Sequence, residues 1–180
     1  MQQNLSFEER MRKDAIENEG QYTPGGGLYG AFDVMAVELE VAELLIAIVR
    51  AIKPHTILEL GSGKGYSTMA LAHGCHLNEG GSVYAWEPNK EHREDLVKRC
   101  QDLPVRVMEG PKMPVEPDMV FIDSGPDYRL RDMNRWVEET VFLLIHDAHR
   151  YTLPVGGFMF QTPRGLWMRD YRPPERYCGH

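Results

Sequence analysis

Long hydrophobic runs are missing from this sequence. Residues 1–14 carry mainly charged and amide side chains, where a secretory signal would have an apolar segment. No later segment stays apolar over the roughly 20 residues that a membrane-spanning helix requires. We therefore expect a cytoplasmic protein that has no membrane partner.

Paired cysteines and basic runs are missing as well. The three cysteines, Cys75, Cys100 and Cys178, are odd in number and far apart, which predicts neither a disulfide framework nor a CxxC metal site. Reduced thiols are the simpler interpretation. The formal net charge of −7 and the lack of a Lys/Arg run argue against a nucleic-acid partner.

The sequence does contain a regular alternation of apolar strands and amphipathic helices. Its 180 residues, 42% of them hydrophobic, are enough for one domain with a sizeable core. Apolar residues recur at helical spacing from Phe32 to Ile52, and Lys53-Pro54 ends that helix. Further on, the pattern predicts strands at 56–60, 82–87, 104–108, 119–123 and 141–146, with helices at about 65–74, 90–101 and 129–138. This alternation predicts an α/β fold with a doubly wound, mostly parallel sheet.

The C-terminal part departs from that alternation. After the strand ending at His146, too few residues remain before Gly156-Gly157 for the usual crossover helix. Residues 157–161 and 165–168 are typical of a hairpin. We expect a shortened final crossover and an antiparallel hairpin at the sheet edge.

Three glycines follow the first strand directly and form the most informative motif. Gly61, Gly63 and Gly65 allow a tight turn and a close approach of the backbone to a ligand. A second acid, Glu87, ends the next strand, where nucleotide-binding folds place a carboxylate on the ribose hydroxyls. Together they predict an adenosine-containing ligand.

These residues also carry a family resemblance. Glu59-x-Gly61-x-Gly63-x-Gly65 and Trp86-Glu87-Pro88-Asn89 resemble the first two motifs of class I S-adenosylmethionine-dependent methyltransferases, over roughly residues 32–168. The resemblance implies a Rossmann-like fold and S-adenosylmethionine as cofactor. The residues it indicates for cofactor binding are Glu59, Gly61, Ser62, Gly63, Tyr66, Ser67, Glu87, Pro88, Gly110 and Asp123.

Asp123 follows a strongly apolar strand, and a buried carboxylate there needs a partner. In catechol-type O-methyltransferases, which this region resembles, an Asp at this position binds Mg²⁺ and a later Asp-Asn pair adds ligands. Here Asp147 matches, but Ala148 replaces the Asn and removes one oxygen ligand. Mg²⁺ bound by Asp123 and Asp147 therefore stays open, since water can complete its shell. His146 and His149 are either strand-end residues or nitrogen ligands that would suit a transition metal.

Candidates for receiving a proton from a substrate hydroxyl are Asp123, Asp127 and Tyr128. Residues 124–128 are equally typical of a simple turn. The aromatic residues Tyr22 and Tyr29 flank Gly25-Gly26-Gly27, an arrangement that fits either a lid or a linker.

The favoured function is an S-adenosylmethionine-dependent O-methyltransferase acting on a small-molecule acceptor, with or without a divalent metal. Two alternatives stay open: a cofactor-binding protein without catalytic activity, and an NAD-dependent oxidoreductase. We expect a helical appendage and Gly-rich linker over 1–30, the catalytic domain over 31–170 and an irregular tail over 171–180. Residues 5–52 are the candidate segment for a homodimer contact or a lid.

Overall fold

The computed structural model describes residues 36–112, 116–139, 141–162 and 164–171. The predicted appendage over 1–30, the aromatic lid residues and nearly all of the predicted tail lie outside these ranges. None of the helices within them has the length and apolar character needed to cross a bilayer.

A seven-stranded sheet forms the centre of the protein, in the order β3-β2-β1-β4-β5-β7-β6. The strands are β1 (Thr56–Leu60), β2 (Ser82–Trp86), β3 (Val105–Met108), β4 (Met119–Ile122), β5 (Phe142–His146), β6 (Phe158–Phe160) and β7 (Leu166–Asp170). Strands β1 to β5 pair in parallel. The central strands β4 and β5 are buried along their whole length, which agrees with their unbroken apolar sequences.

Helices cover both faces of this sheet. They are α1 (Leu39–Ile52), α2 (Tyr66–Leu77), α3 (Lys90–Arg99) and α4 (Pro126–Trp136). Alternate strand residues such as Ile57 and Phe121 pack with α1 and α2 on one face, while Leu58 and Ile122 pack with Met133 of α4 on the other. The two cores confirm the doubly wound architecture.

The C-terminal hairpin and the short last crossover are confirmed. Only a 3₁₀ turn, Ala148–Arg150, and an extended segment separate β5 from β6. Strand β7 pairs antiparallel with both β5 and β6. Strands β5 and β6 therefore run in the same direction, and residues 147–157 make the return between them without the usual crossover helix.

Two helix boundaries differ from the sequence prediction. Helix α1 begins at Leu39, and residues 36–38 are not helical, so the predicted start at Phe32 was wrong for these residues. Helix α4 begins at Pro126 rather than at residue 129, because proline is favourable at a first helical position, where no amide donor is needed. Asp127 and Tyr128 therefore lie in a helix and not in a turn.

Candidate active site

The acidic residues singled out in the sequence lie at one edge of the sheet. Glu59 is in β1 beside its carboxyl end, and Glu87, Asp123 and Asp147 follow β2, β4 and β5. From β1 the chain builds outward through β2 and β3, and it then returns to place β4 on the other side of β1. Open α/β sheets bind ligands in the crevice at such a reversal of strand order.

The glycine loop is shaped by close backbone packing at this reversal. Gly61 has φ 87°, and a Cβ atom there would lie 2.3 Å from Cα of Ser124, in the loop after β4. The Gly61 and Ser62 amides both donate to the carbonyl of Trp86, at 2.9 and 3.1 Å. Only glycine meets both the left-handed backbone and the missing space. The loop is thereby fixed against β2 and β4.

Glu87 connects the glycine loop to the end of β2. Its Oε2 accepts a hydrogen bond from the Gly63 amide at 2.7 Å, and its Oε1 accepts one from the Asn89 amide at 2.8 Å. Both are backbone donors, so the carboxylate is held by the fold and not by a flexible side chain. Each carboxylate oxygen has a second lone pair, which leaves Glu87 able to accept further hydrogen bonds from a ligand.

Glu59 lies fully buried behind the same loop. The Thr68 hydroxyl donates to its Oε2, and the nearby hydroxyls of Ser62 and Ser67 also favour the charged carboxylate. Burial raises the pKa of Glu59 to about 7, and the hydroxyl hydrogen bonds oppose that rise only in part. Its Oε1 is buried without a hydrogen-bond partner among the described residues. We call residues 59–67 together with Glu87 the glycine-loop side.

The ends of β4 and β5 carry a different set of contacts. Oδ1 of Asp123 is 2.9 Å from Nη2 of Arg129 and 3.1 Å from Nδ1 of His146. The buried Arg129 side chain also donates to the carbonyl of Ser124, at 2.6 Å, and to the carbonyl of His146. A single arginine of α4 thus fixes Asp123 and joins the loops after β4 and β5.

His146 is buried between two carboxylates. Its Nε2 is 2.9 Å from Oε2 of the buried Glu38, the residue that precedes α1. Burial acts to lower the pKa of His146, but its interactions with Asp123 and Glu38 outweigh burial and raise the pKa to about 9. Both ring nitrogens face carboxylate oxygens, an arrangement that favours the protonated imidazole, in which both nitrogens donate.

Asp147 is held by a second arginine. Arg164, in the β6–β7 turn, donates from Nε to Oδ1 at 2.7 Å and from Nη2 to Oδ2 at 2.9 Å. The same guanidinium donates from Nη1 to the carbonyl of Ala36 at 2.7 Å. Burial acts to raise the pKa of Asp147, but Arg164 first, then His146 and Arg129, hold it below its ordinary value. We call Asp123, Arg129, His146, Asp147 and Arg164 the arginine side.

The spacing on the arginine side is close to that of a metal site, but the donor atoms are already engaged. Atoms of Asp123, His146 and Asp147 lie within 4.8 Å of one another, which is near enough to share an ion. However, both Asp147 oxygens bond to Arg164, and both His146 nitrogens bond to carboxylates. Ala148 adds no ligand. A divalent cation at this position would therefore have to compete with Arg164 for Asp147 and with a carboxylate for His146.

The remaining predicted residues lie around this crevice at different depths. Asp127 is exposed in the first turn of α4. The half-buried Tyr128 packs its ring edge-on against Trp86, with centroids 5.5 Å apart, next to Glu87. Pro88 is exposed, and Gly110, after β3, has open space around its Cα. The roles predicted for these four residues stay predictions.

Tyr66 and Ser67 begin α2 and are both buried. The Tyr66 ring packs in the core with the Arg99 guanidinium 4.0 Å from its centre. Ser67 bonds to Glu59, so it acts on the crevice through that carboxyl group. His149 is exposed and contacts the carbonyl of Arg164 through Nδ1.

Sequence reasoning missed three residues of this site: the buried Glu38 and Arg129, and the partly buried Arg164. Their partners lie 108, 6 and 17 residues away along the chain, respectively. For Arg129 one signal was present, since Arg129, Asp132, Met133 and Trp136 repeat at the spacing of one helix face.

Comparison with known proteins agrees with this geometry. A family model described as a methyltransferase domain matches residues 58–148, about half of the chain. No curated protein matches the sequence. The matched range begins in β1 and ends just after Asp147, so it contains the glycine loop and most of the arginine side.

Solved structures with the same fold share little sequence with the chain. A proposed caffeoyl-CoA O-methyltransferase from Staphylococcus aureus is 17% identical with a TM-score of 0.66, covering 92% of both chains. An O-methyltransferase from Bacillus cereus, in complex with SAH, is 16% identical with a TM-score of 0.62, covering 90% of this chain and 88% of the other.

A third structure is the O-methyltransferase TomG from Streptomyces achromogenes, involved in tomaymycin synthesis and solved in complex with SAM. It is 16% identical with a TM-score of 0.60, covering 89% of this chain and 88% of the other. At these identities the structures establish the fold, and the matched family model establishes the family. The chain belongs to the methyltransferase-domain family.

Proposed function

We propose that the protein transfers a methyl group from S-adenosylmethionine to an oxygen atom of a small-molecule acceptor. The observation that carries this proposal is the position of Glu59 and Glu87 around a glycine loop at the strand-order reversal. Membership of the methyltransferase-domain family and the O-methyltransferases among the structures of the same fold support it.

The glycine-loop side fits an adenosine-containing cation. Oε1 of Glu59 is a buried acceptor without a partner among the described residues, and such an atom gains stability when a ligand donates to it. Glu87 is held by two backbone amides with lone pairs to spare, as a ribose-binding carboxylate should be. When bound, S-adenosylmethionine supplies an electrophilic methyl group on a sulfonium sulfur.

We assign the cofactor contacts by position in the fold. Gly61, Ser62 and Gly63 bring the backbone to the cofactor, and Glu87 accepts from its ribose hydroxyls. Pro88 and Gly110 follow β2 and β3 and would border the adenine. Tyr66, Ser67 and Asp123 complete the set of residues that the resemblance indicates.

The protein's main contribution to the reaction is alignment. Holding an acceptor oxygen in line with the transferable methyl group converts a bimolecular step into an intramolecular one, which accounts for much of the acceleration in such reactions. Asp123, Asp127 and Tyr128 are the candidates for receiving the proton that the acceptor hydroxyl loses. Asp123 is fixed in orientation by Arg129 and His146, whereas Asp127 is exposed at the start of α4.

We also propose that the protein is cytoplasmic and that it forms a homodimer through residues 5–52. We propose domain boundaries at residues 30 and 170 as well. Each rests on the sequence pattern described above.

The test is methyl transfer followed by mass spectrometry. The full chain is incubated with S-adenosylmethionine and a panel of phenols, catechols and aliphatic alcohols, and an acceptor that gains one methyl group supports the proposal. Asp123→Ala should abolish most turnover, whereas Asp102→Ala, which removes an exposed carboxylate, should not. Cofactor binding without turnover on any acceptor would favour the non-catalytic alternative. Binding of NAD in place of S-adenosylmethionine would favour the oxidoreductase.

A further inference from the structure

We propose that Arg129 and Arg164 take the electrostatic place of a divalent metal at the ends of β4 and β5, so that the protein works without a metal ion. This inference concerns the same crevice and rests on the proposed function, but it is tested by metal binding and not by methyl transfer. It is carried by the contacts of the individual oxygen and nitrogen atoms.

The first observation is that both carboxylate oxygens of Asp147 accept hydrogen bonds from one guanidinium group. The two contacts from Arg164, at 2.7 and 2.9 Å, form the bidentate geometry in which an arginine holds a carboxylate most strongly. In addition, Nη2 of Arg129 lies 3.7 Å from Oδ2 of Asp147. A metal ion at Asp147 would have to compete with a partly buried guanidinium that also donates to the carbonyl of Ala36.

The second observation is that both nitrogens of His146 and one oxygen of Asp123, Oδ1, already contact protein groups. A histidine binds a metal through a bare nitrogen lone pair, and both nitrogens of His146 already contact carboxylate oxygens. Oδ1 of Asp123 accepts from both Arg129 and His146. Asp123 could still offer Oδ2, but an ion shared by all three residues would have to compete with a carboxylate at His146 and with the Arg164 guanidinium at Asp147.

The third observation is the balance of charge. Three buried carboxylates, those of Glu38, Asp123 and Asp147, face two buried or half-buried guanidinium groups and an imidazole that bonds to two of them. Buried carboxylates need compensating cations, and here the chain supplies them itself. The loss of an oxygen ligand at Ala148 is consistent with that arrangement.

Mn²⁺ is the probe for this inference, because its electron paramagnetic resonance signal distinguishes free from bound ions. The full chain, its Arg164→Met variant and an Arg135→Met control are titrated with Mn²⁺ at neutral pH. Arg135 lies on the same helix as Arg129, but its side chain is exposed and pairs with Glu139 at 3.6 Å. The control therefore removes the same charge without uncovering a carboxylate of the arginine side.

We expect wild type and Arg135→Met to bind Mn²⁺ equally weakly, and Arg164→Met to bind it at least about tenfold more tightly, since Asp147 is uncovered. Methyl transfer by wild type should be unchanged by EDTA. Tight, stoichiometric Mn²⁺ binding by wild type would overturn the inference, whether or not Arg164→Met folds. Equally weak binding by all three proteins would overturn it too, because the guanidinium would then not be what occupies the site. Neither result depends on finding the acceptor, so failure here is distinct from failure of the proposed function.

Discussion

The glycine-loop side and the arginine side present the same kind of residue, a carboxylate at the end of a parallel strand, in opposite electrostatic states. On the glycine-loop side the carboxylates bond to neutral amides and hydroxyls, and burial raises the pKa of Glu59 to about 7. On the arginine side cations surround them, and the pKa of Asp147 is lowered. The first region therefore keeps capacity for a cationic ligand, whereas the second is neutralised by the chain itself.

Substitution of Arg129 should have the largest effect on stability. Its guanidinium is buried and bonds to Asp123 and to the carbonyls of Ser124 and His146. Arg129→Met removes one of the two charged contacts of Asp123 and a donor from two buried carbonyls, and it should lower the free energy of unfolding by about 3 to 5 kcal/mol. Urea unfolding measures the loss, and the exposed control Arg135→Met should stay within about 0.5 kcal/mol of wild type. Equal stabilities for the two variants would mean that the arginine side is not neutralised as described.

The glycine-loop side should show its own signature in the pH dependence of stability. Because the pKa of Glu59 is raised from 4.5 to about 7 in the folded protein, the native state binds the proton more tightly than the unfolded chain. Stability is therefore lost as the pH rises from about 4.5 to about 7. Glu59→Gln removes this group, so the stability difference, variant minus wild type, should grow by roughly 2 to 3 kcal/mol between about pH 5 and pH 8. Urea unfolding without ligand at several pH values checks this, and a constant difference would contradict it.

Substitution of Gly61 tests how closely the glycine loop packs against the loop after β4. Gly61→Ala places a methyl group against Ser124 in a left-handed conformation and should cost about 2 kcal/mol or more. Gly80→Ala is the matched control, since no atom lies within 4 Å of its added Cβ. Thermal unfolding of both variants gives the comparison. A Gly61→Ala protein as stable as the control would show that the loop has room to relax.

The smallest expected effect concerns the helix that follows Glu87. Oδ1 of Asn89 accepts from the amides of Glu91 and His92, at 2.9 and 3.2 Å, and so caps α3. Asn89→Ala should lower stability by about 1 kcal/mol. The bond from the Asn89 amide to Glu87 is a backbone contact and should survive the change. Affinity for S-adenosylmethionine should therefore stay within about twofold of wild type, and a much larger loss would show that Glu87 depends on the cap.

The difference between the two sides also explains what could be predicted from the sequence. Glu59, the glycine loop and Glu87 belong to short strand-turn patterns, and β1 was predicted at its observed bounds. The partners of Asp123, His146 and Asp147 come from α4, the lead into α1 and the β6–β7 turn, so no single local pattern contains all of them. Helix α4 was interpreted as a polar helix because its buried face carries Arg129 and Asp132 beside only a few apolar residues.

Calorimetric titration of the full chain shows whether the glycine-loop side binds S-adenosylmethionine with Glu87 on its ribose. We expect wild type to bind S-adenosylmethionine and not NAD. Glu87→Gln should weaken binding by about tenfold or more, since hydrogen bonds to a charged acceptor are lost. The control Glu91→Gln, an exposed acid on α3, should bind within about twofold of wild type. Absence of binding by wild type, or equal affinities for the Glu87 and Glu91 variants, would contradict the account.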